Sequence, residues 1–325
     1  MTTPLPQGFR CHVSNLGIKD TTDDFVVVAA DRSSSAAGVF TRSRFSGPSV
    51  LVSRAHLADR TARAMVVISK NANVATGPEG RANAEEVVAG VAAALGCTPQ
   101  DVVIASTGVI GRQYPMDRVR AGLASLPSEL PGTDAEDVAR AIMTTDTHPK
   151  FASAACGAAR VVGVAKGVGM IEPDMATLIT VFFTDADIPA DELDTVFRRV
   201  IDRSFNCVSV DTDTSTSDTA VILTSGAAGA VDLAAFEAAL MDVAVTLTKM
   251  VARDGEGATK LIEVRVGEAR DDAQAKRIAK AIVNSPLVKT AVHGADPNWG
   301  RVAMAIGKCT TIDEVRQDDV IIRFG

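Results

Sequence analysis

Few side chains in the 325-residue sequence are placed to do chemistry, and they fall into four groups. Thr107-Gly108 directly follows the β-branched run Val102-Val-Ile-Ala-Ser106, so main-chain N–H groups at the end of a strand could converge there on an anion. Lys166 stands in Gly163-Val-Ala-Lys-Gly-Val-Gly-Met170, where glycines let backbone approach a ligand closely and the ammonium supplies a point positive charge. Glu256 sits between two glycines in Asp254-Gly-Glu-Gly257, which suits a turn or a ligand contact. Asp211-Thr-Asp-Thr-Ser-Thr-Ser-Asp218 opens like a calcium loop, with oxygens at alternate positions. It then fails that pattern, because the sixth position is Thr216 where glycine is needed and the twelfth is Ile222 where glutamate is needed. It reads as a polar loop rich in side-chain-to-backbone hydrogen bonds, with a place at the edge of a site left open.

Common catalytic signatures are missing. No Gly-x-Ser-x-Gly elbow, Walker A loop or His-Glu-x-x-His helix occurs, and the glycines around Lys166 lack dinucleotide-binding spacing. His12, His56, His148 and His293 are scattered, and each reads as structural or solvated. The five cysteines lie far apart without a Cys-x-x-Cys pair, so neither a disulfide framework nor a thiolate zinc site is expected, and the compartment reads as a reducing cytoplasm. With 33 basic against 40 acidic residues, a net charge of -7 and 4% aromatics, nucleic acid is not an expected partner. Apolar stretches fall well short of the ~20 residues that span a bilayer, and Met1 to Phe9 has no secretory pattern, so no membrane association is expected.

The elements that would hold these groups alternate between strand and helix. Strands are expected at 64–69, 102–106, 159–163 and 178–183, with further strand-like runs at 260–266 and 319–324. Helices are expected at 82–95, stopped by Gly96, and at 116–124, 134–143, 190–204, 231–252 and 272–282. The Gly/Pro-containing stretch 163–177 is the expected internal seam. The pattern predicts an α/β class with mixed strands.

Around Lys166 the sequence becomes recognisable. Ala165-Lys-Gly-Val-Gly-Met-Ile-Glu-Pro-Asp-Met-Ala-Thr-Leu178 closely resembles the self-cleavage region of the ornithine acetyltransferase family, the glutamate N-acetyltransferases of cyclic arginine synthesis. Other family-like blocks stand around it in the family's order: 70–77, 106–111, 143–147, 205–214, 254–260 and 296–301. The blocks are particularly similar to paralogues of clavulanic-acid-type antibiotic clusters.

The resemblance implies a chain that cuts itself between Ala176 and Thr177, giving an N-terminal fragment 1–176 and a C-terminal fragment 177–325. Taken alone, Thr177 is a threonine that suits a strand; within this block it becomes the nucleophile. A threonine hydroxyl needs a base, and cleavage creates an α-amine of pKa roughly 8 on the same residue. The family pattern places Thr107 and Gly108 at the oxyanion, and Thr144, Lys166, Thr177 and Glu256 at the substrates. Charge complementarity pairs Lys166 with a substrate carboxylate and Glu256 with the amino group of ornithine. The implied reaction moves acetyl from N-acetylornithine to glutamate by a ping-pong route through an acetyl-threonine ester, without metal or other cofactor. The implied fold is a stacked-sheet α/β sandwich similar to the self-processing aminopeptidase-like fold, in a heterotetramer of two of each fragment. A related self-processing amidase or aminopeptidase is the alternative. Family members usually continue past residues 319–325, where a tail supplies an Asn and a Thr to the substrate site; without it, self-cleavage is expected to survive more readily than transfer.

Overall fold

The computed structural model describes residues 3–172 and 178–325. In chain order the elements are β1 (Phe9–Ser14), β2 (Phe25–Phe40), α1 (Pro48–His56), β3 (Thr61–Asn71), α2 (Gly77–Leu95), β4 (Val102–Val109), α3 (Met116–Ala124), α4 (Ala135–Ile142), β5 (Lys150–Cys156) and β6 (Ala159–Lys166). They continue with β7 (Ile179–Asp187), α5 (Ala190–Arg203), β8 (Thr219–Ala230), α6 (Leu233–Arg253), α7 (Asp272–Val283), α8 (Pro286–His293) and α9 (Trp299–Cys309).

Among the described residues seven strands form one hydrogen-bonded path, β4-β3-β2-β8-β7-β6-β5, and β1 pairs with β2 off that path. β3–β4 and β7–β8 are parallel and the other pairs antiparallel, which is the mixed sheet expected. β2 makes the path double back. Its first part pairs with β1 and β3, the register shifts between Ala29 and Ser34, and Ala36–Phe40 then pairs with β8.

Side-chain alternation shows that the two halves are stacked. Val26, Val28, Met65 and Val103 from one half share a core with Val162, Val164, Val181 and Phe183 from the other. The Phe9 and Phe183 rings lie 5.3 Å apart within it. The opposite face of the first half, with Phe25, Val27 and Val66, packs on α2 through Val87, Val88 and Val91. The opposite face of the second half, with Val161 and Phe182, packs on α5 and α6 through Phe197, Leu240 and Leu247. The result is the stacked-sheet α/β sandwich expected, a helix layer on either side of two sheet layers.

Local signals set most helix ends. Asp134, Asp232 and Asp271 each accept a main-chain N–H as the N-cap of α4, α6 and α7. Gly96 stops α2 at φ 66°, left-handed backbone that suits glycine. Two expected strands do not form. Residues 260–266 join no sheet, and Val264 and Val266 instead pack against the small helical core of Ile278, Ile282, Val288 and Ala305. Residues 319–324 begin in a 3-10 turn and run on irregularly, with Ile321 and Phe324 exposed. An apolar run becomes a strand only where a sheet edge is there to pair with it. The first residues of the expected seam are strand instead, because β6 runs through Gly163 to Lys166, and its residues 173–177 lie outside the described residues. All five cysteines are free, and among the described residues no helix is long and apolar enough to cross a membrane.

Candidate active site

The ends of β4 and β6 and the start of β7 open onto a cavity of about 280 Å³. Thr107, Gly108, Thr144 and Lys166 all line it, although they come from three separate stretches of sequence. Leu178, the residue after Thr177, lines it too. Ala176 and Thr177, the expected cleavage pair, lie outside the described residues.

Parallel pairing with β3 fixes the end of β4. The register slips at Lys70/Asn71, where Lys70 faces Gly108 and Asn71 faces both Thr107 and Val109. Gly108 has φ 134°, and a Cβ there would overlap the carbonyl group of Lys70, so only glycine fits. Beneath it, Ser106 Oγ is 2.7 Å from Ser49 Oγ and also meets the buried Tyr114 hydroxyl, an anchor that makes this strand end rigid. Lys166 Nζ donates to Thr107 Oγ1 at 3.1 Å. That donation occupies a lone pair of the hydroxyl oxygen, leaving the Thr107 O–H to point elsewhere.

Burial pushes the Lys166 ammonium below the ordinary lysine range; Asp146 and Asp218 oppose this, while Lys150 adds to it. Thr144 N donates to Asp146 Oδ2 at 3.0 Å, which fixes the turn that carries it. The Asp211–Asp218 loop does form an edge of this site. Asp211 Oδ1 accepts from Ile171 N at 2.8 Å, Glu172 N donates to Asp213 O at 3.1 Å, and Ser215 through Asp218 line the cavity.

Glu256 stands one step away. It lines a larger neighbouring cavity of about 550 Å³. A Cβ on Gly169, which lines the smaller cavity, would come within 2.6 Å of Glu256 Oε2. The Glu256 carboxylate therefore lies against the rim, and Glu256 N donates to Val168 O at 2.9 Å. Several cations around the larger cavity are already paired: Lys276 with Asp202 at 2.6 Å, Lys280 with Glu172 at 3.2 Å and Lys249 with Glu263 at 3.1 Å. The smaller cavity, where hydroxyl, main-chain and ammonium donors meet, is the better place for chemistry.

Sequence reasoning missed the buried ion group under the site, Asp146, Lys150 and Asp254. Two of the three stood inside recognised blocks, but nothing in the linear pattern paired them. Burial pushes Asp146 up, yet Lys166, Lys150 and the Thr144 N–H outweigh it and hold the carboxyl below the ordinary aspartate value of 3.8. Asp254 is likewise held low, with burial overcome by Lys150 and Thr147. Folded-state values below the unfolded ones mean that this stabilisation is present above pH 3.8 and is lost as pH falls through the depressed values. Chemical denaturation from pH 6 downward should show stability falling on that acid limb, and Asp146→Asn should flatten it. An unchanged slope in the variant would remove the assignment.

Fold and cavity together define a class: a stacked-sheet α/β protein whose strand ends present hydroxyl, main-chain N–H and ammonium donors to a small polar ligand. The model of the ArgJ family matches residues 10–325, and the chain belongs to that family. It is 57% identical over 319 residues to arginine biosynthesis bifunctional protein ArgJ 2 of Nostoc sp., covering 98% of this chain and 82% of that one. It is also 57% identical over 325 residues to glutamate N-acetyltransferase Oat2 of Streptomyces clavuligerus, covering 100% of this chain and 83% of that one. Among solved structures, ornithine acetyltransferase from Mycobacterium tuberculosis in complex with ornithine is 32% identical, covering 54% of this chain and 94% of that one at a TM-score of 0.44.

Proposed function

We propose that this protein is a glutamate N-acetyltransferase that moves acetyl from N-acetylornithine to glutamate through Thr177, freed by self-cleavage after Ala176. Membership of the ArgJ family and 57% identity to a glutamate N-acetyltransferase support the activity. The convergence of Thr107, Gly108, Thr144 and Lys166 on one cavity beside Leu178 supports the site.

In maturation, Thr177 Oγ attacks the Ala176 carbonyl carbon and the peptide C–N bond breaks, leaving an ester. Water then hydrolyses that ester to an Ala176 carboxylate and a Thr177 with a free α-amine. In turnover, the Thr177 hydroxyl gives its proton to this amine and attacks the acetyl carbonyl of N-acetylornithine. Ornithine leaves with that proton and acetyl stays on Oγ. Glutamate then attacks through its unprotonated α-amine, restoring the hydroxyl and releasing N-acetylglutamate. Both tetrahedral intermediates carry an oxyanion that the Gly108 N–H and the Thr107 O–H would stabilise. Lys166 suits a substrate carboxylate and Glu256 the side-chain ammonium of ornithine. The working assembly is two copies of each fragment, in the cytoplasm, serving arginine synthesis or an antibiotic cluster.

The deciding experiment pairs an intact-mass spectrum with an acetyl-transfer assay. Two fragments that split after Ala176, together with glutamate-dependent release of ornithine, are the expected result. Acetate released without glutamate would mark a hydrolase, and a whole chain without transfer would end the proposal. Glu256→Gln should raise KM for N-acetylornithine about tenfold with little change for glutamate; equal KM values in parent and variant would remove Glu256 from the ornithine side.

A further inference from the structure

The three segments that carry Thr144, Lys166 and Glu256 meet on one buried ammonium. Lys150 opens β5 and is fully buried, in a position where an unpaired charge would be very costly. Its Nζ donates to Asp146 Oδ1 at 2.7 Å and to Asp254 Oδ2 at 2.6 Å. Each carboxylate in turn holds main chain. Asp146 Oδ1 accepts from Gly167 N at 2.7 Å, next to Lys166, and Asp146 Oδ2 accepts from Thr144 N at 3.0 Å. Asp254 accepts from Thr147 N at 3.1 Å and from the Thr147 hydroxyl, and it begins the turn that presents Glu256. Lys150 and Asp146 lie before the proposed cut and Asp254 after it.

We propose that Lys150 is a positioning residue for acetyl transfer: through Asp146 and Asp254 it holds the Thr144 turn, the Lys166–Gly167 strand end and the Glu256 loop in one arrangement across the two fragments. It touches no substrate. Its effect falls on substrate binding, because the segments it ties carry Thr144, Lys166 and Glu256, whereas the main chain of Thr107 and Gly108 is set by the β4–β3 pairing. The inference rests on the acetyltransferase reading above.

A purely structural ion group would change stability and substrate affinity together, so the test must separate them. Asp254→Asn keeps the shape and removes the charge; Lys150→Met removes the ammonium and leaves two buried carboxylates facing each other. Lys150→Met/Asp254→Asn relieves that repulsion without restoring the link, so it should regain thermal stability lost in Lys150→Met. The expected result is a KM for N-acetylornithine raised about tenfold or more in Asp254→Asn and in the double variant. In both, kcat should stay within about threefold of the parent, with self-cleavage complete by intact mass. A KM within about twofold of the parent in Asp254→Asn, or a KM that recovers in the double variant along with its melting temperature, would overturn the proposal. If Lys150→Met does not fold, Asp254→Asn and the double variant decide by the same criteria. A parent that transfers no acetyl overturns the acetyltransferase reading and this one with it, whereas a normal parent with an unmoved variant KM overturns this one alone.

Discussion

Thr177→Ala should yield one whole chain and no measurable transfer. Alanine has no oxygen to attack the Ala176 carbonyl, so the ester proposed to precede cleavage would not form. Without cleavage the same residue also lacks the α-amine that would deprotonate a nucleophile. Both losses come from one side chain, so the expected fall in kcat is about 10⁴-fold or more, the scale seen when a nucleophile is removed from a concerted catalytic unit. Thr177→Ser separates the steps: it keeps the oxygen and should still cleave. The intact-mass spectrum reads the first step and ornithine release the second. A Thr177→Ala protein found cut after Ala176 would mean that another protease makes the break and that this threonine does not begin it.

The second large effect is expected at Gly108. A methyl group there overlaps the carbonyl group of Lys70, and the backbone at φ 134° is strained for any residue with a Cβ. The strand end must therefore rotate or move away from β3, carrying with it the main-chain N–H that would face the oxyanion. Gly108→Ala is expected to lower kcat about 100- to 1000-fold. Thr107→Val, which removes only the hydroxyl that Lys166 contacts, should cost a similar factor with less loss of stability. Paired measurements of kcat and melting temperature distinguish the two. Full activity in Gly108→Ala would show that this N–H is not used.

What was legible in the sequence was local. Met116–Ala124 forms over the residues that its spacing indicated, and α4, α6 and α7 begin at aspartates that mark their own helix ends. β2 was harder. Asp31-Arg-Ser-Ser-Ser35 interrupts its apolar run, and a strand that changes partners halfway exposes such residues at the change. Residues 260–266 show the opposite failure, since the pattern of a strand says nothing about whether a partner edge exists. At the site, each motif could be seen singly, and the resemblance ordered them. The Lys150–Asp254 contact spans 104 residues of sequence and has no local mark, so only the folded chain brings it out.

The strand order has a consequence for the cut protein. Along β4-β3-β2-β8-β7-β6-β5, the pair β8-β7 would belong to the C-terminal fragment, and every strand flanking it to the N-terminal one. The fragments would then be interleaved like a hand closed between two others, with β8 bonded to β2 on one side and β7 to β6 on the other. Neither could leave as a rigid body, and parting them would mean dismantling the sheet and both of its cores. Maturation would thus raise the number of chains that must meet to refold, making the melting temperature of the cleaved form depend more steeply on protein concentration than that of an uncleaved Thr177→Ala chain. A protein cut in this way would be assembled once, as a single chain, and would keep afterwards a shape that its separated pieces would find only slowly.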